Sequence, residues 1–276
     1  MRIKKFFILL LLCCFSYGFS VDFNEAENDF IQKVLMFRLS LRSYQTPEEA
    51  IQAVIDFRQS NETQILALGE EAKLSVENML TTAHYNFVYE KDMYSPEMEK
   101  ILRPQFEKIS AYTNENEKNG LNPWYILSSA DIINSMLQFL PRSNSIKYGL
   151  KEKKDFAMVL ENYPDMAFAY MLSAYWYYYA PAIGGGSKNT AKEYFLLSLE
   201  KATNDYELYY GNINVSQICF EEKNKTQCQK YLDEAEKVLP NTRYIAFIRK
   251  INELGYSLFD YNMNSTREKL NEKLKL

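Results

Sequence analysis

Apolar residues recur at i, i+3, i+4 and i+7 along most of this chain, and clean period-two runs are scarce, so the pattern predicts an all-α protein. Clusters of Pro, Gly and Asn punctuate the pattern roughly every 15–25 residues, as between consecutive antiparallel helices. A first helix is predicted over about residues 24–43, with Phe30, Val34, Leu35, Phe37, Leu39 and Leu41 apolar. Thr46-Pro47-Glu48-Glu49 opens a second: an N-cap, a proline at the first helical position, and a Glu placed to close a capping box. A third begins at Asn61-Glu62 and on its apolar spacing runs past Leu80 towards Tyr89. Ser95-Pro96-Glu97 repeats the cap-and-proline signature and opens a helix to about Tyr112, with Pro104 as a candidate interruption. Residues 113–120 are polar and read as a loop. They separate an N-terminal helical region, 21–120, from a C-terminal one, 121–276.

Beyond Asn122-Pro123 the pattern sharpens. Helices are predicted over 124–140, 145–161, 167–180, 190–202, 206–220, 226–238 and 242–259, with a short polar helix over 265–275 capping the end. Three junctions between them look alike: Tyr163-Pro164-Asp165, Thr203-Asn204-Asp205 and Leu239-Pro240-Asn241. Asp165, Asp205 and Asn241 stand 40 and 36 residues apart, the period of a helical hairpin of about 34 residues with small insertions. Ala191, Phe195 and Ser198 then fall where such a unit wants small, bulky and small residues; Cys228, Leu232 and Ala235 do the same one unit later. Small side chains let the two helices approach, and the bulky one fills the gap between neighbouring hairpins.

These features resemble the tetratricopeptide repeat. The segments YPDMAFAY (Tyr163 to Tyr170) and CQKYLDEAEKVLPN (Cys228 to Asn241) look like its junctions. The likeness covers residues 122–261 and thins over 22–113, where only LALGEEA (Leu66 to Ala72) is similar to a first-helix segment. The Trp, Leu, Gly and Tyr usual early in each repeat are mostly replaced. The resemblance implies stacked antiparallel hairpins forming an α-solenoid. The arrangement is also similar to the T component of TRAP-type periplasmic transporters, the turn 181–186 followed by Lys188 to Ala191 being the nearest local match. That second likeness implies an exported protein acting beside a solute-binding protein, with a hydrophobic small ligand.

The chain's start agrees with export. Arg2, Lys4 and Lys5 precede ten apolar residues, Phe6 to Phe15, and Gly18 and Ser20 offer small side chains for cleavage before Val21. The apolar run is short for a membrane span. Retention as an anchor, or lipidation at Cys13 behind Leu10-Leu11-Leu12, are the alternatives that would attach the protein to a membrane. Of the 32 basic residues three lie in this leader, so the mature chain carries 29 against 36 acids. A mildly acidic protein has no general electrostatic reason to hold nucleic acid.

Candidate chemistry is sparse. His84 is the one histidine, so any Ser/His/Asp or Cys/His centre must use it, and its window TTAHYNF reads as ordinary helix. One His and no closely spaced Cys pair leave no transition-metal site, and no cofactor is implied. Gly184-Gly185-Gly186-Ser187 lacks the Gly-Lys-Ser/Thr ending of a phosphate loop and reads as a tight turn between helices. Cys219 and Cys228 are the mature thiols, placed across a turn; a disulfide and two buried thiols both fit. AYMLSAYWYYYAP (Ala169 to Pro181) puts aromatic side chains on more than one face of a helix. Core packing and a ligand-lined groove both explain it. If a groove, it is lined by Trp124, Tyr170, Tyr175, Trp176, Tyr177 and Tyr178. The expectation is a non-catalytic binding scaffold, with a structural envelope protein or an envelope hydrolase using two carboxylates as the alternatives.

Overall fold

The computed structural model describes residues 22–274, so the leader, its cleavage position and Cys13 lie outside the described residues. Among the described residues the fold is all-helical, without strands, its helices packed in adjacent pairs as a solenoid-like stack. In chain order they are α1 (Glu25–Ser40), α2 (Pro47–Ser60), α3 (Glu62–Ala67), α4 (Glu70–Lys91), α5 (Glu97–Asn116), α6 (Pro123–Met136) and α7 (Arg142–Asn162). Then follow α8 (Ala167–Tyr179), α9 (Lys188–Glu200), α10 (Asp205–Glu221), α11 (Lys225–Val238), α12 (Arg243–Glu253), α13 (Leu258–Tyr261) and α14 (Asn264–Leu274). Short 3-10 turns extend α1 over Leu41–Ser43, α5 over Glu117–Asn119 and α6 over Leu137–Phe139.

Local chemistry explains most boundaries. Thr46 caps α2 through the Glu49 amide while Glu49 reaches back to the Thr46 amide, the reciprocal pair its sequence predicts. Asn122 caps α6, with Pro123 at the first helical position. Ser187, Asn204, Asn224 and Thr242 cap α9, α10, α11 and α12.

Four expectations are corrected. The predicted third helix breaks at Leu68-Gly69 into α3 and α4, because the Gly69 amide turns away to donate to Glu27 Oε1 of α1 at 3.0 Å. Pro104 does not interrupt α5: the helix runs through it, and it lies on the exposed face, where the loss of one helical hydrogen bond is tolerated. Residues 113–120 are not a loop. The helix runs to Asn116 because Thr113 Oγ1 meets the Tyr125 hydroxyl at 2.8 Å and Tyr112 packs edge-on to Tyr125, and a tertiary anchor outweighs weak propensity. The predicted helix over 242–259 ends at Glu253. Gly255 takes φ +89°, Asn252 Nδ2 donates to the Tyr256 carbonyl at 2.9 Å, and Ser257 caps the separate α13.

The repeat positions behave as their residue types require. Ala191, Phe195, Ser198, Cys228, Leu232 and Ala235 are all buried, and the hairpins α8–α9 and α10–α11 they serve are the most intimately packed pairs. The core continues across residue 120: α1 packs on both α4 and α10, and Ile31, Val34 and Leu35 share one cluster with Tyr209 and Ile213. The last helices also return to the first. Arg243 of α12 pairs with Glu90 of α4 and donates to the Tyr44 carbonyl, and Asn264 of α14 accepts the Tyr89 hydroxyl at 2.8 Å. The last helices therefore contact the first, α12 and α14 both meeting α4.

Candidate functional site

The six aromatic residues singled out from the sequence do not share one space. Trp124 packs on Phe168 and borders an open cleft of about 590 Å³ together with Phe23, Tyr163 and Met166. Tyr170 and Tyr177 both meet Tyr194 edge-on, between α8 and α9. Trp176 donates its indole N–H to the Gly149 carbonyl at 2.9 Å and, with Tyr177 and Ser173, borders a cavity of about 30 Å³, room for a water or two and not for an organic ligand. Tyr178 lies against Phe259 and hydrogen-bonds Glu221, with Lys188 donating to its hydroxyl at 2.9 Å. Core packing thus accounts for most of the stripe.

Tyr175 points elsewhere. Its hydroxyl donates to Asn214 Oδ1 at 2.6 Å, and burial with Tyr244, Tyr179 and Tyr206 nearby raises its pKa well above the ordinary value. Those neighbours belong to a connected set of polar side chains on the facing helices. Arg38 and Arg42 are four residues apart, so both guanidinium groups leave α1 and its 3-10 extension on one side. Arg42 donates to the Tyr210 hydroxyl at 2.9 Å, lies 3.7 Å from Glu90, and stacks on the Tyr244 ring at 4.0 Å. Burial works against its charge, yet Tyr210, Tyr244 and Glu90 hold it more firmly protonated than usual. Arg38 sits over Tyr206 and 3.8 Å from Asp131. Farther round, Arg267 of α14 stacks on Tyr89 at 4.1 Å and Tyr261 at 4.7 Å.

Asp131 keeps 21% of its side chain accessible, yet burial pushes its carboxyl up to about 6 against the pull of Arg38. Tyr244 is likewise pushed to about 12, by burial first. Near Asp131, Glu152, 3% exposed, is pushed up to about 8 by burial, with Asp131 and Asp155 adding to the rise and the Asn134 amide opposing it.

Sequence reasoning missed this set. Its one legible signal was a charge at Arg38 and Arg42 inside the apolar stripe of α1, and a single acid, Asp131, in the apolar α6. His84 is half-buried on α4, its pKa lowered by burial and by Arg58. Cys219 and Cys228 are both free thiols in this structure. Cys228 faces Asn252 Oδ1 at 3.7 Å, and burial pushes its thiol up to about 11. Among the described residues no helix is long and apolar enough to cross a membrane. No family model matches the chain, and no curated protein matches it.

Proposed function

We propose that this protein is a non-catalytic, exported binding scaffold of tetratricopeptide type that holds a small organic ligand in its interior recess. In line with the T-component resemblance, it works beside a solute-binding protein. The observation that carries the reading is a connected set of tyrosine faces and hydroxyls from α4, α8, α10 and α12 interleaved with guanidinium groups, partly accessible and strongly desolvated. Binding sites combine aromatic walls with a few placed polar groups in this manner.

One observation favours the hydrolase alternative: Asp131 and Glu152 form an acid pair, one ionised and one neutral near pH 7. Its burial counts against it. A general acid must reach the bond it protonates, and Glu152 is closed off from solvent.

The test is capture of tagged mature protein from envelope extract, with identification of both proteins and small molecules that co-purify. A solute-binding protein, an organic ligand, or both, above a mock control supports the scaffold reading. Turnover of an envelope polymer that is lost in Asp131→Asn would replace it with the hydrolase.

A further inference from the structure

α7 buries little of itself: Glu152, Phe156 and Val159 are the residues it sinks into the core. Its outer face carries an aliphatic stripe. Ile146 is 70% exposed and Leu150 51%, and Ala157 lies exposed on the same line of the helix. At about 3.6 residues per turn, Lys147 and Lys154 flank this stripe on one side and Arg142 and Lys153 on the other. Lys151, farther round, is taken up by Glu117 and Asp155 at 2.8 and 2.9 Å, whereas Lys147, Lys153 and Lys154 form no ion pair with any described residue. The Lys153 ammonium lies against Gly185 in the α8–α9 turn, and two residues earlier in that turn Ile183 stands fully exposed, a further apolar group at this edge.

A chain of net charge −4 thus gathers unpaired lysines around exposed aliphatic side chains on one helix. That is the arrangement of a helix lying in the plane of a membrane interface: the apolar line enters the acyl boundary, and the lysine stems follow it while their ammonium groups stay at the phosphates. An acidic protein surface would answer the lysines but not the aliphatic line between them. The start of the described chain points the same way. Asp22 accepts the Tyr163 hydroxyl at 3.3 Å, and Tyr163 is the residue that ends α7. The apolar run Phe6 to Phe15, the part of the sequence suited to meet a membrane, is therefore connected to the fold at the end of this helix.

We propose that α7 docks flat on an anionic lipid surface, with Ile146, Leu150 and Ala157 towards the acyl chains and Lys147, Lys153 and Lys154 at the phosphate groups. The contact needs neither a lipid anchor nor a spanning helix, and it is independent of the ligand-holding reading.

The test is flotation of the chain from Val21, which lacks the leader, with vesicles of phosphatidylglycerol and phosphatidylcholine in equal parts and with vesicles of phosphatidylcholine alone. Partition onto the anionic vesicles should be about thirtyfold or more stronger and should fall with added salt. Lys147→Gln with Lys154→Gln should weaken it by about thirtyfold, the effect of two surface lysines. Leu150→Ser should weaken it roughly fivefold, the effect of losing part of an aliphatic contact. Lys225→Gln with Lys230→Gln, an exposed pair on α11, should leave it unchanged. All of these positions are exposed or half-exposed, and the wild-type comparison of the two vesicles needs no variant to fold. Equal partition onto both vesicles, or none onto either, overturns the proposal. So does anionic binding that survives the α7 changes or falls as much with the α11 pair.

Discussion

Replacing Glu152 by Gln tests whether the desolvation inside this fold is as severe as its geometry requires. Glu152 is 3% exposed on α7, and its carboxyl is pushed from the ordinary 4.5 up to about 8, by burial first and then by Asp131 and Asp155. Between those two values the folded chain holds a proton that the unfolded chain has released. Stability therefore falls as pH rises through that window, the reverse of a salt-bridged carboxylate. Each tenfold difference in proton affinity between the folded and unfolded chains is worth about 1.36 kcal/mol, so the carboxyl costs the folded state about 3 kcal/mol at pH 7. Between pH 5 and pH 8 the wild-type chain should lose roughly 3–4 kcal/mol through this group alone. Glu152→Gln keeps the shape and cannot titrate, so its stability should lack that fall. Asp131 and His84 titrate in both proteins and largely cancel in the comparison. Urea unfolding followed by circular dichroism at several pH values measures the difference directly, provided the denaturant slope is unchanged. Parallel curves for the two proteins from pH 5 to pH 8 would refute the reasoning and show that water reaches Glu152.

Further outcomes follow from packing and turns. Gly186→Ala should cost about 2 kcal/mol or more in urea unfolding, because a Cβ there runs into the Ala180 carbonyl, while Gly184→Ala, whose Cβ would meet only Pro181 at ordinary contact distance, should be near neutral. Equal effects at the two positions would show that the α8–α9 turn is not held by that close approach. Phe195→Ala should cost about 3–5 kcal/mol, since this fully buried ring stacks on Phe259 and meets Tyr175 edge-on; a loss under about 1 kcal/mol would mean the hairpin is loosely packed. Intact-mass measurement without reductant should find both thiols alkylatable, Cys219 reacting well before the buried Cys228. A mass two protons short, with neither thiol reactive, would establish the disulfide instead.

Helix positions were legible because they depend on neighbours in sequence. Thr46-Pro47-Glu48-Glu49 and Asn122-Pro123 cap and start their helices with groups a few residues apart, and Ala191, Phe195 and Ser198 repeat on one helix face. The places where the reading failed have partners far away: Gly69 is drawn off by Glu27, and residues 113–116 stay helical through Thr113 and Tyr125. The same distinction governs the site. A tyrosine-rich α8 was visible, but which neighbour each of its rings meets depends on where α7, α9 and α12 come to rest. Arg267 lies in a polar terminal segment that reads as surface, and it becomes a buried cation only because α14 folds back onto Tyr89 of α4. Asp131 and Glu152 stand on different helices, so no spacing rule could pair them. The sequence by itself determined an all-helical chain and its hairpin repeat, through local hydrogen bonding and the 3.6-residue period. Only the tertiary structure decided which charges were taken out of water, because desolvation is set by everything packed around a group and not by its neighbours along the chain.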